Sequence, residues 1–309
     1  MGFQRQAMKY PIIHILLLAL LPVFVSAEEL KPYILAGIDQ GSLEESQTSI
    51  IAQLAVQEFE VLGSYSPADD DTLGVICVTH ELLKEAATEA GGLLGFASVL
   101  RVGLHATPDG TVVSYMNPQY WGNAYFREDF PKVEDSYATL EKKLHEALAD
   151  LGESRFEPFG SKKGKSEKKL RKYHYMMAMP FFDDVVELNS DTPYDDSIEC
   201  IESRTAAEDS EVEIVYSLKF PERKMALYGV ALTGAKGEVK FLPKIDFKEP
   251  RHVPFLPYEI LVLEDKVVML HGKYRIALSF PDLSMGTFMK ISSTPGDIAD
   301  ALRVIAEDK

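Results

Sequence analysis

Apolar and polar positions alternate with two different periods along this chain, and the order of those periods predicts its architecture. In the first half, an apolar run at 33–38 precedes an amphipathic helix, which begins with a capping box between Ser42 and Glu45. Four strand-like runs then follow, at 60–65, 74–79, 96–104 and 111–116. A short helix is predicted at 80–90 and a long one at 133–151. The order is β-α-β4-α with one added helix.

The second half repeats this order. It has a strand-like run at 185–188, a helix that starts at Thr192, further strand-like runs, and a last helix that starts at Thr294. The further runs lie at 212–218, 225–233, 260–263, 267–270 and 276–278. Tight turns are predicted at Glu264-Asp265 and His271-Gly272. The pattern predicts an α+β fold of two tandem domains, each with an antiparallel sheet that helices cover on one face.

The N-terminal residues have the composition of a signal peptide. Arg5 and Lys9 precede the apolar stretch 12–25, and small residues end at Ala27. We expect cleavage after Ala27 and a periplasmic or secreted protein with no membrane span after cleavage. A retained N-terminal anchor is the alternative.

Composition then sets the domain boundaries. We predict a signal peptide at 1–27, a first domain at 28–152 and a second domain at 181–309, separated by a linker at 153–180. The linker contains a basic, flexible stretch, and the apolar, aromatic run 173–182 starts near its end; we expect this run to pack as an extra strand.

Charge and cysteine content narrow the range of partners. The formal net charge of -16 at pH 7 repels phosphate backbones, so nucleic acid is not expected as a partner. The two cysteines, Cys77 and Cys200, form no Cys-x-x-Cys motif, and whether they are bridged stays open.

Several short motifs occur together in the chain. They are Phe159-Gly160, Tyr173-His174-Tyr175, the run 179–184, Leu256-Pro257-Tyr258-Glu259, Leu270-His271-Gly272, Arg275-Ile276-Ala277 and the run 280–285. As a set they resemble bacterial secreted proteins of the domain of unknown function 302 family. The resemblance implies a TATA-binding-protein-like (TBP-like) β-α-β4-α fold in tandem copies. It implies no catalytic residues, and DNA binding is not expected because the saddle would have to be basic.

Polar residues in 246–289 form the first candidate site. They are Asp246, His252, Glu259, His271, Arg275 and Asp282. We expect them to converge at one end of the second sheet and to bind a ligand, for example a carboxylate or phosphate at Arg275. The alternative is that they pair with each other as structural groups.

An aromatic and methionine-rich stretch forms the second candidate site. His174 and Tyr175, with Met176, Met177 and Met179, predict a cleft between the two copies for an apolar or planar ligand. Interdomain core is the alternative.

These features favour a non-enzymatic ligand-binding or interaction protein, whose partner is an unknown small molecule or a periplasmic protein. The chain contains neither Gly-x-Ser-x-Gly nor His-Glu-x-x-His, so it has no hydrolase signature. No Gly-rich phosphate loop follows a strand, and no two histidines stand at i, i+4 or in His-x-His, so no cofactor and no metal site are predicted. One alternative is a hydrolase or lyase with His252 as the base and Glu259 or Asp282 as its partner. A purely structural envelope protein is another, and a homodimer formed through sheet edges stays open.

Overall fold

The computed structural model of the protein describes Gly2 and residues 29–307. The predicted signal peptide therefore lies outside the described residues. The described strands form two antiparallel sheets, one of six and one of five strands, so the fold class is α+β. Across residues 29–307, no helix is both long enough and apolar enough to cross a bilayer.

The first sheet has the order β2-β3-β4-β5-β1-β6. Its strands are β1 (Tyr33–Asp39), β2 (Glu60–Tyr65), β3 (Leu73–Thr79), β4 (Leu100–Thr107), β5 (Gly110–Met116) and β6 (Glu153–Phe159). The accompanying helices are α1 (Leu43–Val56), α2 (Glu81–Ala90), α3 (Pro118–Phe126) and α4 (Glu134–Ala147). A one-turn helix, α5 (Glu167–Leu170), follows β6.

The second sheet has the order β7-β11-β10-β9-β8. Its strands are β7 (Val186–Ser190), β8 (Val212–Phe220), β9 (Met225–Leu232), β10 (Tyr258–Leu263) and β11 (Lys266–Met269). Its helices are α6 (Tyr194–Thr205), α7 (Glu238–Ile245), α8 (Gly272–Ser279), α9 (Met285–Lys290) and α10 (Thr294–Ala306).

The two sheets share one topology. The strands β2-β3-β4-β5-β1 of the first sheet correspond in order to β8-β9-β10-β11-β7 of the second. The first sheet differs only by β6, which pairs with β1. Both β2 and β8 carry a register shift at corresponding places, between Val61 and Gly63 and between Ile214 and Tyr216. Such bulges bend a strand and increase its twist, so corresponding strands of the two sheets are distorted alike.

The halves pack against each other with matching contacts. The Tyr120 hydroxyl in α3 donates to the carbonyl of Leu278 in α8, at 2.9 Å. In return, the Tyr274 hydroxyl in α8 donates to the carbonyl of Ala124 in α3, at 3.2 Å. The spacing from Tyr120 to Tyr274 equals that from Ala124 to Leu278, so the α3–α8 contact is symmetric in sequence as well as in space.

A second matching contact joins each sheet to a loop of the other half. The 3-10 turn Val253–Phe255 packs on β3, β4 and β5, and the turn Gly92–Ala97 packs on β9 and β10. Gly103 in β4 allows the first approach, because a Cβ there would lie 2.7 Å from the Pro254 ring. Helices α1 and α6 contact their own sheets. The core thus continues across the boundary between the halves.

Local signals in the sequence predicted several elements correctly. The capping box is confirmed: the Ser42 hydroxyl accepts from the Glu45 amide at 3.4 Å, and the Ser42 amide donates to the Glu45 carboxylate at 2.9 Å. The Glu264-Asp265 turn is confirmed because Leu263 pairs with Lys266 across it. Both signals depend only on residues close in sequence, so they can be recognised without knowledge of the tertiary structure.

One predicted strand is wrong. Residues 276–278 lie in α8, and the predicted turn at His271-Gly272 is the start of that helix. The His271 Nδ1 atom accepts from the Lys273 amide at 3.1 Å and so caps the helix. The apolar run resembles a strand because α8 is buried nearly all round, and a short buried helix has no periodicity that distinguishes it.

The linker prediction also needs correction. Its first residues form β6, which extends the first sheet, and the aromatic run 173–182 forms turns rather than an extra strand. Helix α7 was not predicted, because Pro243 inside it argues against a helix. Cys77 and Cys200 are free thiols.

Candidate ligand-binding cleft

A cleft of about 350 Å³ opens where the end of β6, the chain after α7 and the end of α8 meet. Phe159 and Phe280 contribute apolar walls, while Asp246 and His252 contribute polar groups. Helix α7 ends at Ile245, which places Asp246 directly on the cleft. The cleft therefore lies between residues of both halves.

His252 sits among three aromatic rings. It stacks on Phe280 at 4.5 Å between ring centroids, and Tyr33 and Phe159 lie at 5.1 and 5.7 Å. Removal from water lowers the pKa of His252 to about 4, so the ring is neutral at pH 7. Its Nδ1 lies 3.1 Å from the Ser279 carbonyl, which only accepts, so Nδ1 carries the proton. Nε2 is then an acceptor.

Asp246 is a buried carboxylate with incomplete pairing. One of its oxygens accepts from the His252 backbone amide at 2.9 Å. The other, Oδ2, has no hydrogen-bond partner among the described residues, although Arg251 Nε lies 3.3 Å away as an ion pair. Burial raises the pKa of Asp246 to about 6, despite the opposing effects of the amide and of Arg251.

The outer part of the cleft carries charges of both signs. Lys31, Lys162 and Lys248 line it together with Glu249 and Asp282. Asp282 is exposed, and its carboxylate accepts from the Lys162 backbone amide at 2.6 Å. This bond ties the chain after β6 to the chain after α8 at the rim of the cleft. The cleft has no dominant sign of charge.

A second group of polar residues is closed rather than open. Glu259 in β10 forms ion pairs with Arg101 in β4 and Arg275 in α8, and the Tyr216 hydroxyl donates to it at 2.8 Å. All three charged side chains are 2% exposed. Arg275 also donates to the carbonyl of Phe255 at 2.8 Å and to that of Pro257 at 2.7 Å. The cluster therefore joins the two sheets through buried charge.

Electrostatics keep this cluster ionised. Burial alone would raise the pKa of Glu259, but the guanidinium groups of Arg101 and Arg275 outweigh it and lower the pKa below its usual value. Burial next to this carboxylate raises the pKa of Tyr216 well above its usual range. Glu259 and Arg275 are therefore structural partners, as the alternative interpretation of the sequence had it.

The structure does not bring all predicted site residues together. Asp246, His252 and Asp282 share the cleft, whereas Glu259 and Arg275 belong to the buried cluster. His271 caps the start of α8, while His252 contacts its last residue, Ser279. The predicted convergence of the whole set is wrong, because an α-helix of eight residues separates its two ends by about 10 Å.

The aromatic candidate site lies apart from the cleft. His174 is exposed against Phe181, at 4.6 Å between ring centroids. The Tyr175 hydroxyl donates to the Leu283 carbonyl at 3.3 Å and lines a separate small apolar cavity. The two residues therefore do not contact the ligand-sized cleft.

Three residues of the cluster and the cleft were not predicted from the sequence: Arg101 and Tyr216, which contact Glu259, and Phe280, which stacks on His252. Arg101 had a usable signal, since a charge inside the apolar strand 99–104 must have a partner when that strand is buried. For Tyr216 and Phe280 the sequence offers no such signal, since their roles depend on contacts with distant elements.

The class that the fold and site define is an α+β protein with two antiparallel sheets and a ligand-sized cleft at their junction. No family model and no curated protein matches the chain. A partly similar solved structure is the crystal structure of the uncharacterized conserved protein DUF302 from Bacillus stearothermophilus. It is 14% identical, covers 38% of this chain and 95% of its own, and gives a TM-score of 0.32. A similarity this weak does not establish a shared fold or function.

Proposed function

We propose that the protein is a secreted or periplasmic ligand-binding protein, whose small-molecule ligand lies in the cleft between two tandem TBP-like domains. The observation that carries the proposal is the cleft of about 350 Å³ beside His252. Its volume falls within the range of small-molecule sites, and it places aromatic walls beside polar groups that could orient a ligand.

The matched halves support the tandem arrangement. Five strands in common order, corresponding bulges and the reciprocal tyrosine bonds are what a duplicated domain would produce. Ligand sites occur preferentially at domain interfaces, and the cleft lies between residues of both halves. The signal-like residues 1–27 support an extracytoplasmic location.

Binding is favoured over catalysis by the state of the two predicted catalytic groups. Glu259 is held by two guanidinium groups and the Tyr216 hydroxyl, so it is not available to orient His252. The pKa of His252, lowered to about 4, makes its ring a weak base at pH 7. Asp246 contacts the His252 backbone rather than its ring. Asp282, the other predicted partner of His252, is exposed at the rim and accepts from the Lys162 backbone amide. Among the described residues of the cleft, none of these carboxylates forms an acid–base pair with the His252 ring.

The same geometry describes the ligand. A flat or compact apolar body would pack on Phe159 and Phe280, and a hydrogen-bond donor on it would meet the Nε2 acceptor of His252. The mixed charges at the rim allow a polar or zwitterionic group to face water.

Native mass spectrometry of the protein purified untagged from the cells that make it tests the proposal. We expect extra mass that disappears on denaturation, that is retained in His174→Gln, and that is lost in His252→Gln. His174 is the matched control because it is exposed and does not line the cleft. Retention of the added mass in a folded His252→Gln variant, or a bare chain mass for the wild type, would overturn it.

A further inference from the structure

We propose that Met176, Met179 and Met285 form a binding site for one soft monovalent cation, Cu(I) or Ag(I). These three methionines line a single small cavity of about 40 Å³ between the turns before β7 and the helices α8 and α9. A water molecule occupies about 30 Å³ in the liquid, so the cavity has room for one ion.

Methionines are concentrated in this region of the molecule. Five of the eight methionines in residues 29–307 occur at 176, 177, 179, 285 and 289. Four of them are exposed: Met176 by 43%, Met177 by 90%, Met285 by 52% and Met289 by 63%. Exposed apolar side chains gain little from burial, so packing does not account for this concentration.

The chemistry of the cavity selects a soft ion. Thioether sulfur is a neutral, polarisable ligand that suits Cu(I), whereas Zn²⁺ is bound by thiolate, imidazole and carboxylate groups and Mg²⁺ by oxygen. Residues 29–307 contain no group of three or more His, Cys, Asp or Glu side chains placed to hold a metal. A site for hard or borderline divalent ions is therefore not indicated here.

The surroundings also suit such an ion. Ile276, Phe280, Leu283 and Phe288 complete the apolar walls, and the half-exposed Met176 and Met285 leave the cavity accessible to an ion from solvent. The Tyr175 hydroxyl bonds to the Leu283 carbonyl, which holds the segment bearing Met176 and Met179 close to the one bearing Met285. The three rotatable bonds of methionine let each sulfur adjust to the ion.

This site is separate from the ligand cleft. Phe280 and Leu283 line both cavities, but His252 and Asp246 line only the cleft and the methionines only the small cavity. The proposal is thus independent of the proposed function, because the methionines and the two polar groups each line only one of the cavities.

Titration of the purified protein with Ag(I), a redox-stable probe, tests the site by calorimetry and native mass spectrometry. We expect one Ag(I) ion per chain. Met176→Leu, Met179→Leu and Met285→Leu should each weaken binding by at least about tenfold, because loss of a direct ligand exceeds the effect of losing an outer-shell partner. Leucine keeps the apolar bulk, so a loss of affinity reports the sulfur atom.

Met177→Leu and Met289→Leu are matched controls, since both residues are exposed methionines that do not line the cavity. They should bind Ag(I) like the wild type. Circular dichroism melts verify that every variant is folded, and the exposure of Met176 and Met285 makes their substitution mild. Absence of a one-to-one complex, wild-type affinity in the cavity variants, or equal weakening in the controls would overturn the proposal.

Discussion

Glu259 and Asp246 are equally removed from water, with 2% exposure of either side chain, yet their pKa values shift in opposite directions. Burial raises the pKa of Asp246 to about 6, whereas two guanidinium groups reverse the effect of burial at Glu259 and lower its pKa. The number of cationic partners therefore decides the sign of the shift, and burial alone does not.

The same difference separates a structural cluster from a candidate site. Around Glu259, the oxygens are taken by Arg101, Arg275 and Tyr216, so nothing remains for a ligand. Around Asp246, one oxygen has no hydrogen-bond partner among residues 29–307, and the cleft lies beside it. Of the two carboxylates, Asp246 is thus the one with an oxygen still able to accept a hydrogen bond, and it lines the cleft.

The largest effect is expected from Glu259→Gln. This change leaves two buried guanidinium groups without a counter-charge, which should lower the free energy of unfolding by about 3–5 kcal/mol. Urea denaturation measures the loss. Glu222→Gln, at an exposed position of the same half, is the control and should change stability by no more than about 0.5 kcal/mol. A loss of similar size in both variants would show that the cluster is not special.

The second prediction uses pH. Folding raises the pKa of Asp246 from 3.8 to about 6, so its stabilising contribution is present below 3.8 and is lost as pH rises through 6. The amide side chain in the Asp246→Asn variant does not titrate in this range. The free energy of unfolding of wild type minus that of Asp246→Asn should therefore fall by about 3 kcal/mol across this window.

The pH dependence of stability due to Glu259 should have the opposite sign. Its pKa is lowered by folding, so its contribution is present above the ordinary pKa of a glutamate and is lost as pH falls. The free energy of unfolding of wild type minus that of Glu259→Gln should thus decrease as pH is lowered. The corresponding difference between wild type and Asp246→Asn should increase as pH is lowered. Urea denaturation over a series of pH values measures both, and slopes of one sign would refute the comparison.

The smallest effect is expected from Tyr216→Phe. Removal of the hydroxyl that donates to Glu259 should cost about 2 kcal/mol, the range for a buried hydrogen bond to a charged group. Tyr228→Phe is matched to it, because the Tyr228 hydroxyl donates at 3.0 Å to Glu202, which is 43% exposed. Water can replace that donor, so we expect a smaller loss in thermal or urea unfolding. Equal losses would mean that burial of the acceptor does not matter.

Much of the fold could be predicted because its signals are local. The capping box at Ser42 and the turn at Glu264-Asp265 depend on residues a few positions apart. The errors occurred where burial hides periodicity, as in α8, or where a strand's partner is distant, as for β6 and β1. A polar-rich strand such as β6 gives little sign of its sheet until β1 is in place.

The residues with functional chemistry were easier to predict than the contacts those residues make. The sequence singled out Asp246, His252, Glu259 and Arg275, and the structure divides them between an open cleft and a closed cluster. The division depends on Arg101, which comes from the other half of the chain and takes one Glu259 oxygen.

The amino-acid sequence by itself therefore determined the order of most elements, the acidic net charge and the presence of ionisable residues within apolar segments. Only the tertiary structure decided which carboxylate is paired and which faces a cleft. The physical reason is that pKa, hydrogen bonding and cavity shape depend on groups within a few ångströms in space. Some of those groups, such as Arg101 beside Glu259, come from elements more than a hundred residues away, so no local pattern specifies them.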